Sequence, residues 1–140
     1  MSIKRIGRLS ARAASVFFRC FAVFQIGLAL GAPFGEMTWG GGSSAVLSAS
    51  LRIASGIAAL YLAGAAAVML VRSADIGRTL APVPFRWING LLMVQMALNT
   101  VGNLASSIPM ERFGMGSASL IGFSFCAIAL FAEKPKDPIA

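Results

Sequence analysis

Four long apolar runs constrain this chain more than any other feature of its sequence. They cover residues 13–31, 51–71, 88–105 and 118–132. Only 12% of the 140 residues are charged and 57% are hydrophobic, whereas soluble domains average about 25% charged residues. A helix of roughly 20 apolar residues spans the hydrocarbon core of a bilayer. The sequence therefore predicts an all-α integral membrane protein, a four-transmembrane-helix bundle that forms one membrane domain over residues 13–132.

Positive charge is divided unequally between the two ends of these runs. Nine basic residues flank one end: Lys4, Arg5, Arg8, Arg12, Arg72, Arg78, Arg86, Lys134 and Lys136. Only Arg52 and Arg112 flank the other end. Cytoplasmic loops carry the excess of Lys and Arg in membrane proteins. We therefore expect a multi-pass protein of a bacterial inner (cytoplasmic) membrane, with the basic N-terminal segment 1–12 and the tail 133–140 both in the cytoplasm.

The net charge of +7 is interpreted in the same way, because the cations bracket apolar runs and form no basic domain. Lys and Arg in this position orient spans and contact lipid headgroups, so the expected partner is the lipid bilayer and not nucleic acid. The chain has no histidine, and Cys20 and Cys126 lie far apart inside apolar runs. This pattern excludes CxxC redox chemistry and the common zinc sites. We expect no metal and no cofactor.

Two interpretations of the first run remain open, and Arg19 favours one of them. The residues around 28–32 resemble a signal-peptide cleavage site. A charge in the middle of the apolar stretch argues against cleavage, so we expect a retained helix. Arg19 costs about 2.5–3.5 kcal/mol at a bilayer centre. We expect it to snorkel toward the basic end or to find a buried partner; an ion-pathway role is the functional alternative.

Small residues recur at every fourth position of the second run: Ser55, Ala59, Ala63 and Ala67. Small residues on one face let helices approach closely in lipid. The stripe predicts close packing against another helix of the same chain, with self-association as the alternative.

The third run carries an amide stripe, because Gln95, Asn99 and Asn103 are spaced at i, i+4 and i+8. Amides that face lipid without partners cost several kcal/mol each, so the stripe must face other helices or a wet cavity. Pro82 and Pro84, just before this run, are expected to stop any continuous helix.

Two turns at the end opposite the basic residues, 32–42 and 106–117, hold most of the remaining polar residues. The outer-turn polar cluster consists of Glu36, Trp39, Arg52, Glu111 and Arg112. The glycines at 35 and 40–42 allow a tight turn. Ion pairs between Glu36 and Arg112, or between Arg52 and Glu111, would clamp the two turns over the bundle. The alternative is a ligand site with the first turn as its roof and the amide stripe as its floor.

Three short pieces of sequence at this end are distinctive: Gly31–Glu36 with Trp39-Gly-Gly, Leu51–Ser55, and Asn103 and Ser106 followed by Glu111-Arg112. Together they resemble a family of small, functionally uncharacterised bacterial four-span membrane proteins. That family often has Trp where Phe34 stands and Ser where Ile108 stands. The resemblance implies a four-helix topology with its distinctive residues on the outer side, and implies no known activity.

The residue types argue against an enzyme. Glu36 and Glu111 are the only outer carboxylates available for acid–base work, and the chain lacks His, a cysteine–base pair and a metal set. The first expectation is a non-enzymatic accessory or structural membrane subunit that packs with itself, as a homo-oligomer, or with another membrane protein. The alternative is a small-molecule or lipid binder or transporter that uses the outer turn and the amide stripe.

Overall fold

A computed structural model describes residues 2–39, 44–77 and 82–132 of the chain. These residues form four α-helices and no strand: α1 (Ile3–Leu30), α2 (Ala49–Arg72), α3 (Pro82–Leu104) and α4 (Gly116–Phe131). A 3-10 turn, Gly35–Met37, follows α1, and a π-helical segment, Met110–Met115, leads directly into α4. The predicted all-α class is confirmed for the described residues.

Three helical segments are long and apolar enough to cross a membrane. They are Ile3–Leu30, Ala49–Arg72 and Met110–Phe131, whose most apolar stretches have mean hydropathies of 1.8, 2.0 and 1.7. Helix α3 is not among them, because its amide side chains and Arg86 lower its hydropathy. Length and composition therefore support three of the four predicted spans.

The outward faces of the helices are apolar all round the bundle, including that of α3. Val23 of α1 is 68% exposed, Leu60 of α2 is 76% exposed and Phe131 of α4 is 70% exposed. The exposed apolar residues of α3 lie on one face, at Leu91, Val94, Leu98 and Val101. Contiguous exposed apolar surface marks contact with a membrane or another protein. Its presence on four helices, together with three helices of membrane-spanning length, suggests a membrane protein.

The helices form an up-and-down bundle with one open side. Helix α1 packs along both α2 and α4, and α4 packs along α3, whereas α2 and α3 touch least. Phe18, Met69 and Cys126 fill the centre with essentially no exposed surface. Ser15 Oγ donates a hydrogen bond to the Ala66 carbonyl oxygen at 3.0 Å, which ties α1 to α2. The bundle is therefore closed on three sides and loosely joined between α2 and α3.

Helix α4 approaches its neighbours closely at Gly122. A Cβ at this position would lie 2.7 Å from Cε1 and 2.9 Å from Cζ of Phe17, and 3.2 Å from Sδ of Met96. Carbon atoms in contact normally lie about 3.5–4.0 Å apart. The absence of a side chain at residue 122 is thus what lets α1, α3 and α4 meet.

Two of the expectations about helices need correction. The third span is predicted to begin at residue 88, but α3 begins at Pro82 and includes Pro84 in its first turn. Proline is tolerated there because the first amide groups of a helix have no intrahelical acceptor, and its fixed φ angle already suits a helix. The expectation that no helix runs continuously through this region holds, since α2 ends at Arg72.

The small-residue stripe of α2 also differs from its expected role. Ser55 and Ala59 are buried, but Ala63 and Ala67 are exposed. Four residues advance by about 400° along an α-helix, so the stripe turns by roughly 40° at each step. Its first half therefore packs inside the chain, and its second half lies on the outer face.

Arg19 lies on the exposed surface of α1, and its Nη2 donates a hydrogen bond to Ser15 Oγ at 3.0 Å. Ser15 lies one turn nearer the N-terminus. The guanidinium group therefore reaches back toward the basic end of the bundle, which is the direction expected for snorkelling.

The basic end is joined by polar contacts between helices. Arg12 of α1 and Asp75, just beyond α2, form an exposed ion pair with an Nη2–Oδ1 distance of 2.6 Å. Arg72 is buried, and its Nη2 donates to the Ala129 carbonyl oxygen of α4 at 3.3 Å. Residues 78–81 and the tail 133–140, to which three of the orienting cations belong, lie outside the described residues.

Candidate functional site

A cavity of about 330 Å³ lies between the four helices, toward the end that carries the outer turns. Its walls come from every helix, from the π-helical segment and from the turn after α1. Small-molecule sites in proteins typically occupy roughly 300–1,000 Å³ and combine apolar walls with a few polar groups. The size and composition of this cavity both meet that description.

One wall of the cavity is aromatic and belongs to α1. Phe17, Phe21 and Phe24 line it, and their spacing of four and three residues sets them on one face of the helix. The rings of Phe17 and Phe21 have centroids 4.7 Å apart. This wall offers flat apolar surface to a bound molecule.

The opposite wall is polar and belongs to α3. The three members of the amide stripe, Gln95, Asn99 and Asn103, all line the cavity. Gln25 reaches it from α1, and its Oε1 is buried with no hydrogen-bond partner within the described chain. A buried acceptor without a donor is unfavourable by about 1–3 kcal/mol. Because water cannot reach this oxygen, its missing hydrogen bond belongs to the packing beside the cavity and not to the surface of the cavity.

Glu111 brings a carboxylate to the outer end of this wall. It is only 8% exposed and lines the cavity, and Ser106 Oγ donates to its Oε2 at 2.7 Å. The second outer turn is predicted as irregular, but residues 110–115 form a π-helical segment continuous with α4. This extra helical segment is what turns Glu111 inward.

Trp39 covers the outer end of the cavity, in the turn that the sequence predicts as a roof. Its Nε1 donates to Ser55 Oγ of α2 at 3.2 Å, and its φ angle of 55° lies in the left-handed region, which few residues other than glycine adopt. Gly35 holds the base of the turn, because its amide donates to the Ala45 carbonyl oxygen at 2.8 Å. The glycines at 40–42, predicted to make the turn tight, lie outside the described residues.

The cavity opens on the side where α2 and α3 touch least. Among its lining residues, Trp39, Tyr61 and Asn99 are exposed, and they mark the opening. The Tyr61 hydroxyl donates to Gln95 Oε1 across it. One hydrogen bond between the two helices thus spans the mouth of the cavity.

The outer-turn polar cluster is therefore split in two. Trp39 and Glu111 line the cavity, whereas Glu36 and Arg112 are exposed outside it. Arg52 donates from its Nε to the Ala29 carbonyl oxygen at 2.9 Å, at the C-terminal end of α1, where a cation is favoured by the helix dipole.

Neither predicted clamp forms between described residues. The pairs Glu36–Arg112 and Arg52–Glu111 are both absent, and the ion pair that the described chain does contain joins Arg12 to Asp75 at the other end. The geometry therefore does not support the clamp hypothesis. It does contain a cavity covered by the first outer turn, as the ligand-site alternative requires.

Sequence reasoning missed part of the lining. Tyr61, the one tyrosine of the chain, and the aromatic wall of α1 were not predicted to contribute. The spacing of Phe17, Phe21 and Phe24 was the available signal, because it set three rings on one helical face. Gln25 carries the same signal, because it follows Phe21 by four residues and Phe17 by eight.

Within the described residues, no group of three or more His, Cys, Asp and Glu side chains is placed to hold a metal ion.

Fold and site together define an α-helical bundle with three membrane-length apolar helices and a cavity of mixed aromatic and amide character between its helices. Comparison with family models, curated proteins and solved structures gives no match.

Proposed function

We propose that the protein is a four-span integral protein of the bacterial inner membrane that binds a small amphipathic molecule in the cavity between its helices. The observation that carries this proposal is the cavity of about 330 Å³, in which the amide stripe of α3 faces the aromatic wall of α1. Asn99 is exposed at the mouth of the cavity, and Gln95 and Asn103 are partly exposed, so these amides are accessible to a bound molecule, as the few polar groups of a small-molecule site are.

The fourth span of this proposal is α3, which hydropathy alone does not support. Its outward face carries Leu91, Val94, Leu98 and Val101, which are between 51% and 70% exposed. Its amides lie on the cavity side. A helix that is apolar toward lipid and polar toward a cavity has a low mean hydropathy but still fits the bilayer.

The proposed orientation has the basic end in the cytoplasm and the cavity roof outside. It rests on the distribution of Lys and Arg between the two ends. The bacterial inner membrane is proposed from that distribution and from the resemblance to the small four-span family.

The route to the cavity in this proposal is lateral, between α2 and α3. The opening lies on the side of the bundle, and both helices that flank it carry exposed apolar side chains, such as Leu60 of α2 and Leu98 of α3. A lipid-soluble molecule would reach the amides from the bilayer without crossing the aqueous phase.

The test compares a variant that fills the cavity with one that changes the outer surface of the same helix. Ala58 lines the cavity, whereas Ala63 is exposed on α2. Wild type, Ala58→Phe and Ala63→Phe are extracted from native membrane in polymer nanodiscs, and small molecules that co-purify are quantified by mass spectrometry. The proposal expects a compound enriched with wild type and Ala63→Phe and lost with Ala58→Phe.

Equal recovery of every compound from all three proteins would contradict the binding function. If a stoichiometric membrane protein then co-purified with all three, the accessory-subunit hypothesis would take its place. The variant Asn99→Leu distinguishes the two further, because a partner interaction through the outer surface survives it and ligand enrichment does not.

A further inference from the structure

Among the described residues that line the cavity, one carries a carboxylate. Glu111 is the carboxylate that lines it, and no Lys or Arg contributes to the lining formed by the described residues. Arg112, the next residue, is exposed and points outside the cavity. The local charge of the wall is therefore negative in a protein whose net charge is +7.

The hydrogen-bonding groups around Glu111 also favour a positively charged or donor-rich molecule. The amides of Asn99 and Asn103 on the same wall carry further acceptor oxygens, and Glu111 is itself 8% exposed. A carboxylate removed from water is stabilised by a nearby opposite charge. A cation in the cavity would meet acceptors on the polar wall.

The aromatic side chains supply the second element of cation recognition. Phe17, Phe21 and Phe24 line one side, and Trp39 and Tyr61 stand at the mouth. The faces of aromatic rings attract cations, and an aromatic cage is a recurring way to hold an organic ammonium group. A hydrated inorganic ion would gain nothing from these rings.

We infer that the ligand of this cavity is a lipophilic organic cation, with its charge near Glu111 and its apolar part against the aromatic wall of α1. The inference rests on the proposed binding function and narrows it to one chemical class. A neutral lipid and an organic anion are the alternatives that it excludes.

The experiment uses two probes of the same shape that differ in charge. Benzyltrimethylammonium is a cation, and neopentylbenzene is its neutral carbon isostere. The chain has two tryptophans, and Trp87 is 74% exposed on the outside of α3. The variant Trp87→Phe leaves Trp39, at the cavity mouth, as the single fluorescent reporter in the detergent-solubilised full-length protein.

The expected result is a Kd for the cation at least tenfold lower than that for the isostere. Glu111→Gln should abolish this preference, so that the Kd values of the two probes become similar. Glu36→Gln is the matched control, because it removes an exposed carboxylate from the neighbouring outer turn and should keep the preference.

Equal affinity for the two probes in wild type would overturn the cation inference and leave the binding function standing. A preference that survives Glu111→Gln would overturn it too. If Glu111→Gln does not fold, the comparison of the two probes in wild type still decides whether the cavity prefers a cation. Glu111→Asp then tests whether a carboxylate alone is enough for that preference. If neither probe perturbs Trp39, the inference is contradicted, and the nanodisc comparison of Ala58→Phe with Ala63→Phe decides the binding function separately.

Discussion

Replacing Gly122 by alanine tests whether the close approach of α1, α3 and α4 is what defines the cavity. The new Cβ would lie 2.7 Å from Cε1 of Phe17, against a normal carbon contact of about 3.5–4.0 Å. The ring or the helix must move by close to 1 Å. Overpacking of this kind destabilises a core by about 1–3 kcal/mol.

Alanine also favours the helix over glycine by about 0.5–1 kcal/mol, so a matched control is needed. Gly64 lies in the exposed middle of α2, and a Cβ there would meet no atom within 4 Å. Gly64→Ala carries the gain in helix propensity without the clash. The free energies of unfolding of Gly122→Ala and Gly64→Ala should therefore differ by about 1–3 kcal/mol, with Gly64→Ala the more stable.

The measurement is the unfolding of both variants by SDS in mixed detergent micelles, followed by far-ultraviolet circular dichroism. Binding of the neutral probe to Trp39 is measured in parallel, because Phe17 lines the cavity and can relax only by moving its ring into it. Equal stabilities together with equal probe affinities for the two variants would refute the packing described for Gly122.

Two further predictions concern the outer turn and the orientation. Gly35→Ala should destabilise the turn by about 1–3 kcal/mol, since its Cβ would lie 2.6 Å from the backbone carbonyl oxygen of Ser44. An added protease should then cleave the turn faster than in wild type. Unchanged cleavage would contradict this packing. For the orientation, Glu36→Cys in a background without Cys20 and Cys126 should react with a membrane-impermeant maleimide on spheroplasts, because residue 36 is exposed at the proposed outer end. Asp75→Cys, which is exposed at the basic end, should react only after the membrane is opened; the reverse pattern would invert the proposed topology.

The helices could be predicted from the sequence because the hydrophobic pattern decides them. Each apolar run became a helix, and most of the ends differ from the predicted ones by one or two residues. The largest differences are at α1, which begins at Ile3 and takes the basic residues into its first turns, and at α3, which begins at Pro82. Both are effects of helix termini, where proline and charge are tolerated and the sequence pattern is weakest.

The site could be predicted in part, for a different reason. The amide stripe needed only helical periodicity and the cost of polar groups in lipid, so Gln95, Asn99 and Asn103 were assigned to an internal face from spacing alone. The pairing of charges in the outer turns depended on loop conformation, which periodicity does not determine. Arg52 reaches a carbonyl oxygen at the end of α1, and the π-helical segment turns Glu111 inward; neither outcome has a signature in the sequence.

If a ligand enters through the gap between α2 and α3, as proposed above, the gap determines which concentration governs the occupancy of the cavity. A site entered from the side equilibrates with molecules dissolved in the lipid, so its saturation follows their mole fraction in the bilayer. A compound that is scarce in water but partitions strongly into membranes would then fill the cavity. Adding lipid at a constant total amount of ligand would lower the mole fraction of the ligand in the bilayer and so lower the occupancy. The hydrogen bond from Tyr61 to Gln95 crosses that proposed route, so we expect Tyr61→Phe to speed the exchange of a ligand that uses it.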